Sequence, residues 1–480
     1  STGTIVNADG LIEEVPYNLL QQSNSFDTTW VASNGGVVTS GQSGYDGSNN
    51  AWLLNDTVVG NTGRVYQNIT SSGVSTFSVY MKAGTLNWVR VQLGTTVGNN
   101  SIDVDLQNGV IGYQQGSNIV ETSISLISSQ WYRVSLTLNA SITQATLLPA
   151  LANNNLSGSG TIYIQDAQLN SGSTAKTYYP TTTRLNIPRV DYLNNANGSL
   201  LLEGQRTNLI TYSESFDNAY WTKSAVTVTS GFTSPDGTAN AFKLVEDTST
   251  ADHRMSTVGN YTSGSHSYSF YVKKAETRYI RINAANTSTY GVSSVFDLVN
   301  KTVVSAVGSA KIETLADGWL RCTVTGATIA SGTTIYLGLS NDGTTFVYTG
   351  DGTSGIYIYG AQLEEGSSST SYIPTSGTTV TRLADTSSTT GLSDVINSTE
   401  GVLYAELQNE DIGRVSMSDG TYNNVILIQK DYRTSNSILV NFKIGGTGNS
   451  ISGTGVSGFN KIAIKWDSTS MTMHLNGVLI

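Results

Sequence analysis

Most of this chain alternates between apolar and polar positions with a period of two. Phe77-Ser78-Val79-Tyr80-Met81-Lys82-Ala83, Trp88-Val89-Arg90-Val91-Gln92 and Trp131-Tyr132-Arg133-Val134-Ser135-Leu136-Thr137 each return the same side of the backbone at every second residue. That is the pattern of a half-buried β-strand. Such runs recur at intervals of roughly 8 to 15 residues with turn residues between them, the spacing of a sandwich or jelly roll.

The runs then come back. Tyr268-Ser269-Phe270-Tyr271-Val272-Lys273-Lys274, Tyr279-Ile280-Arg281-Ile282-Asn283 and Trp319-Leu320-Arg321-Cys322-Thr323-Val324-Thr325 match the three above in order. Val104-Asp105-Leu106-Gln107-Asn108 matches Phe296-Asp297-Leu298-Val299-Asn300, and Ala167-Gln168-Leu169 matches Ala361-Gln362-Leu363. Each copy opens on one marker: Asn18-Leu19-Leu20, then Ser25-Phe26-Asp27 and Trp30; and Asn208-Leu209-Ile210, then Ser215-Phe216-Asp217 and Trp221. Asn18 and Asn208 lie 190 positions apart. A solenoid repeats every 20–50 residues or so, so this period marks duplicated domains. Each copy is led by two apolar stretches around an Asn/Asp-Gly turn, Val6 to Glu13 and Val190 to Glu203, which reads as a hairpin belonging to the copy that follows it. The closing strand is expected at one sheet edge beside the opening one.

The predicted organisation is a leading hairpin at 1–17, a jelly roll at 18–182, a linker with hairpin at 183–207 and a second jelly roll at 208–377. A Ser/Thr-rich linker follows at 378–399, and 400–480 carries further short alternating strands, read as part of a third sandwich. The fold class is all-β: tandem jelly-roll β-sandwiches followed by a partial concanavalin A-like β-sandwich. The chain starts at Ser1 without Met or a signal-peptide pattern and stops just after the turn Asn476-Gly477, so both ends read as cuts in a longer polypeptide.

Composition agrees with this picture. Charged residues are 12% of the 480, too few for a helix-rich protein, and there are 49 glycines but 6 prolines. The net charge of −10 and the lack of any Lys/Arg run exclude the counterion-releasing contacts that nucleic-acid binding needs. No apolar window is long enough for a membrane helix. Cys322 is the single cysteine, so no intrachain disulfide framework exists, and its apolar strand points to a buried, inert thiol.

The second copy, with Arg206-Thr207-Asn208-Leu209-Ile210, Ser215-Phe216-Asp217, Trp221, Gly360-Ala361-Gln362-Leu363-Glu364 and Tyr372-Ile373-Pro374-Thr375, resembles the carbohydrate-binding-module-like domains of bacteriophage fibres and spikes, the phage head spike fibre domain in particular. The first copy departs from that pattern with Pro16-Tyr17 in place of Arg206-Thr207 and Asp166 in place of Gly360. The tail, from Gly401-Val402-Leu403-Tyr404-Ala405-Glu406 to Asn476-Gly477, resembles concanavalin A-like (laminin G-like) lectin domains. The resemblance implies a non-enzymatic head or tail fibre protein on the virion surface, extracellular, forming a homotrimer or other homo-oligomer. It would contact capsid or tail proteins and attach to host-surface or environmental glycans. A purely structural virion decoration, and the binding-module part of a secreted glycan-active enzyme, remain as alternatives.

Chemistry is sparse. His253, His266 and His474 have no metal-type spacing partner, and no Gly-x-Ser-x-Gly elbow is present between a strand and a helix. Glu13-Glu14 and Glu364-Glu365 are neighbours, which on a strand face opposite sides and cannot flank one glycosidic bond. No cofactor is implied; the oxygen-rich turn Asp351-Gly352 admits a structural calcium. For glycans, alternation puts Trp88, Arg90 and Gln92 on one side of their strand, and Tyr279, Arg281 and Asn283 repeat the arrangement. A flat ring beside guanidinium and amide donors suits a sugar. Arg133 and Arg321 are expected to join from a neighbouring strand. The competing expectation is that the aromatics cap the core and the arginines pair with Asp105 and Asp297. Trp30, Trp131, Trp221, Trp319, Phe26 and Phe216 are expected in the core.

Overall fold

The structure is a computed structural model describing residues 3–480, apart from 61, 72, 184–187, 260, 286–292, 330, 393, 395, 398, 409–413, 432–436, 457–458 and 468. Part of the linker expected at 183–207 thus lies outside the described residues. The protein is all-β: among the described residues the one helical element is a single 3-10 turn, Ala316–Gly318.

Each copy of the repeat is a sandwich of two six-stranded antiparallel sheets. In the first, one sheet runs Val110–Gln115, Gly98–Asp105, Trp88–Thr95, Ile142–Ala150, Arg64–Asn68, Val31–Ser33. The other runs Ile119–Ser128, Trp131–Asn139, Val74–Ala83, Gly160–Ser171, Ala51–Asp56, Gly36–Gln42. The second copy keeps both orders, with Thr333–Ser340, Tyr279–Ala285 and Ser294–Asp297 consecutive in one sheet and Gly355–Glu365, Gly264–Lys274 and Trp319–Ile329 consecutive in the other. The alternation explains the layers. Val89, Val91 and Leu93 are buried between the sheets with Val79, Met81, Val134 and Leu136, each fully buried side chain contributing about 1.5–3 kcal/mol.

Two expectations about the repeat are corrected. The closing strands Gly160–Ser171 and Gly355–Glu365 lie inside their sheets, hydrogen-bonded on both sides, not at an edge. The opening marker is mostly irregular backbone, and what fixes it is its asparagine. Asn18 is buried, donates to the carbonyls of Ala167 and Tyr179 and accepts from the amides of Leu20 and Leu169. Asn208 repeats all four bonds with Ala361, Ile373, Ile210 and Leu363. A buried amide with its hydrogen-bonding capacity filled by backbone is a pin, and it staples each opening to its closing strand. Phe26, Phe216, Trp30 and Trp221 then pack in the core as expected.

The leading hairpin meets the copy it precedes through the exposed Glu14–Lys176 ion pair at 3.0 Å, but its apolar side chains are not buried there. Thr4–Val6 pairs with Ile12–Glu14, and the pair lies on the second jelly roll. There the Ile12 amide donates to Pro235 O at 2.8 Å, Thr4 to Tyr372 O at 3.1 Å, and Ala316 to Gly10 O at 3.2 Å. Val6 and Ile12 share a cluster with Ala241, Tyr271, Trp319, Tyr359 and Tyr372. In the first copy the equivalent surface covers itself: Tyr45, standing where the second copy has Pro235, stacks on Tyr80 at 3.9 Å. Trp131 and Trp319 are buried beneath these two covers rather than between the sheets. The fold makes the hairpin unnecessary on copy one.

By compactness, residues 1–200 and 206–383 form one unit, and 201–205 with 384–480 another. The second unit has two four-stranded sheets, Gly401–Gln408 with Phe459–Trp466, Met471–Leu475 and Val478–Leu479, and Arg414–Ser418 with Val425–Asp431, Ser437–Ile444 and Thr447–Thr454. Ile428, Val440, Ile462, Ile464 and Met473 form its core. Leu201–Gln205, expected as linker, is tied to this unit by Glu203, whose amide donates to the Asp385 carboxylate and whose carbonyl accepts from the Asp385 amide, both at 2.9 Å.

Candidate functional site

Strand Trp88–Thr95 turns Trp88, Arg90 and Gln92 to the outer side of its sheet, as the alternation requires. Trp88 and Gln92 are half-buried; Arg90 is buried. Arg90 is engaged in a bidentate bridge across the strand pair, Nε to Asp103 Oδ1 at 2.6 Å and Nη2 to Oδ2 at 2.9 Å, with Nη2 also donating to Asn154 Oδ1 at 3.2 Å. Tyr113 covers the guanidinium, 5.4 Å from its ring centre. The partner is therefore Asp103 and not Asp105, which accepts the amides of Gln107 and Asn108 and closes the next turn.

In the second copy the matching row is sealed. Arg281 has 0% exposure, donates through Nη2 to Asp252, and lies 4.4 Å from the ring centre of Phe346 and 5.0 Å from that of Tyr336. Asp252 also holds Arg254 at 2.8 Å. Asn283 is buried and donates to the Tyr336 hydroxyl at 2.7 Å. Tyr279 stays half-buried against Arg278, which grips Asp297 at 3.0 and 2.6 Å and holds that carboxyl down at about 2. The seal is a small ribbon, Thr250–Asp252 paired with Val347–Thr349. The first copy runs from Asp56 to Arg64 at that place with no such ribbon among the described residues.

Arg133 and Arg321 do not join these rows. Their strands pair with Val74–Ala83 and Gly264–Lys274, in the opposite sheet of each sandwich. Alternation tells which side of its own strand a residue takes; it does not tell which sheet the strand enters. Arg133 lies over Tyr80 and donates to Ser78 Oγ at 3.0 Å and to the Lys176 carbonyl. Arg321 lies over Tyr271 and donates to Ser269 Oγ and Thr370 O.

Around Arg133 the outer surface of the first jelly roll forms a groove of about 210 Å³. Its walls are Glu121, Ser123 and Ser125 from strand Ile119–Ser128, Arg133 and Ser135 from the next strand, and Ser173, Thr174 and Ala175. Ser123 and Ser135 hydroxyls lie 2.7 Å apart. In the second copy the corresponding strand, Ser309–Thr314, brings Lys311 and Glu313, 3.0 Å apart, with Glu313 4.0 Å from Arg321. The hydroxyl row was readable in the sequence as a period-two polar stripe at 121, 123 and 125, but its acceptor and donor partners were not.

Both copies also bury a carboxylate among tyrosines. Glu214 accepts from Tyr359 at 2.8 Å and Tyr372 at 3.0 Å, and burial raises its pKa. The first copy has Asn24 at the matching position and carries its acid at Asp166 instead, where Tyr45 donates at 2.9 Å and burial raises the pKa to about 6. Asp166 and its counterpart Gly360 share a φ of 53°, a left-handed backbone that Gly and Asp tolerate. Asp351, read as admitting calcium, accepts the amides of Thr353 and Ser354 and both their hydroxyls. Among the described residues no three His, Cys, Asp or Glu side chains gather as a metal site would need. His253 is buried, its ring nitrogens 2.8 and 3.1 Å from the carbonyls of Ala225 and Tyr348.

No known family and no curated protein matches the chain. Among solved structures it is similar to an exo-β-1,3-galactanase from Phanerochaete chrysosporium at 10% identity, covering 68% of this chain and 69% of that one, with a TM-score of 0.18. It is also similar to an oxalate decarboxylase from Bacillus subtilis at 9% identity, covering 74% and 78%, with a TM-score of 0.10. Overlaps of that quality carry no argument about function.

Proposed function

We propose that this chain is a non-enzymatic bacteriophage fibre protein, on head or tail, whose jelly rolls attach the virion to host-surface or environmental glycans. The observation that supports it is the groove on the first copy. A sugar hydroxyl both donates and accepts, and the groove offers a carboxylate, a guanidinium and a row of serine hydroxyls side by side. The half-buried Trp88 and Gln92 offer a second, flatter contact on the opposite sheet. Weak single sites suffice on a particle, because linked copies raise the effective concentration.

The test is a glycan array probed with the multivalent chain and with Glu121→Ala/Ser125→Ala, two changes on the groove wall. Binding weakened at least ~10-fold by the double change supports the groove. A signal untouched by it but lost in Trp88→Ala moves the site to the other sheet. No signal on any glycan favours the second reading, a structural virion decoration without ligand. That reading has one observation in its favour: in the second copy both corresponding surfaces are occupied by ion pairs and aromatic rings.

A further inference from the structure

The first jelly roll leaves one long sheet edge open. Strand Ile119–Ser128 is the outermost of its sheet, and among the described residues its only strand partner is Trp131–Asn139. Ten residues at about 3.3 Å each make an edge of roughly 33 Å on which alternate amides and carbonyls point away from the sheet. Such edges are templates for another strand, and proteins defend them by shortness, Lys or Pro. The second copy does so: its equivalent, Ser309–Thr314, has six residues and carries Lys311 and Glu313. Ile119–Ser128 has neither Lys nor Pro, and Glu121 is its one charge. Its register shifts fall near the two ends, leaving Glu121–Leu126 in regular pairing. Val120, Leu126 and Ile127 are 53%, 64% and 45% exposed, a high fraction for apolar side chains on one strand.

We infer that this edge is an interface between two copies of the chain, joined antiparallel about Ser123 into one continuous sheet. The strand is complementary to itself in that register. Val120 lies across from Leu126 and Thr122 from Ile124, while Glu121 meets Ser125, so no like charges oppose each other. A two-fold contact of this kind uses the same surface on both partners and closes on itself. It also sets the two serine-lined grooves side by side on one sheet surface, since Glu121, Ser123 and Ser125 line them. The pairing does not depend on what those grooves bind.

Two measurements on the full chain test it without any glycan. Cys322 is buried, so Ser123→Cys adds the one accessible thiol, and mild oxidation should give a covalent dimer. Ser125→Cys, placed opposite Glu121, should give at least ~10-fold less. In sedimentation, Val120→Lys/Leu126→Lys should weaken self-association by roughly 100-fold, since it installs the charges that guard natural edges. Both positions are exposed, so the melting temperature should hold. If that variant fails to fold, the cysteine comparison decides alone. A chain that is monomeric at all concentrations, a strictly trimeric one, or equal cross-linking at 123 and 125 overturns the inference.

Discussion

At the scale of single residues, Arg90 and Arg281 stand at matched positions of the repeat but have lost their freedom in different degrees, Arg90 at 9% exposure and Arg281 at 0%. Arg281 is enclosed by Tyr336, Phe346 and Asp252, so Arg281→Ala is a stability change and not a test of binding. It should cost about 3 kcal/mol, read as a lower Tm, and Arg281→Met should cost less, because a flexible apolar chain refills the space. Trp88→Ala, at a half-buried position, should cost clearly less than Arg281→Ala. Asp166 makes a pH prediction. Its folded pKa of about 6 lies above the unfolded value of 3.8, so the native state holds the proton more tightly. Its contribution to stability is present at pH 4 and is lost as pH rises towards 6. Asp166→Asn, which keeps an acceptor for Tyr45 and tolerates the left-handed backbone, should therefore stabilise the fold at pH 7–8 by about 2–3 kcal/mol, read as a higher Tm, and leave the Tm nearly unchanged near pH 4. Equal effects at both pH values would refute this account.

At the scale of elements, the leading hairpin is the informative case. Sequence order assigns it to the first copy, but Ile12 and Val6 are buried against Trp319, Tyr271 and Tyr372 of the second. Ile12→Ala should cost 2–4 kcal/mol or so in a buried site of this kind. Hydrogen exchange would locate the loss: protection should fall in Gly264–Lys274 and Trp319–Ile329 and hold in Val74–Ala83. The opposite pattern would return the hairpin to the copy it precedes. The two copies solve one problem twice, covering the same aromatic patch with a distant hairpin in one case and with Tyr45 in the other. Their buried acids have moved in parallel, from Glu214 to Asp166.

At the scale of the whole molecule, the sequence by itself determined the strands, the duplication and the lining of both cores. Alternation and the repeat of Asn-Leu, Ser-Phe-Asp and Trp are local signals, and burying every second side chain is a demand that a strand carries with it. Only the tertiary structure decided where each strand goes. Arg90 and Arg133 sit on equally well-formed alternating runs, yet one faces out from one sheet and the other from the opposite sheet, because sheet membership depends on pairing partners tens of residues away. The ribbon that seals Arg281, the hairpin that crosses to the second copy and the open edge at Ile119–Ser128 are of the same kind. Each arises from contacts between segments far apart in the chain, about which the period of a single strand holds no information.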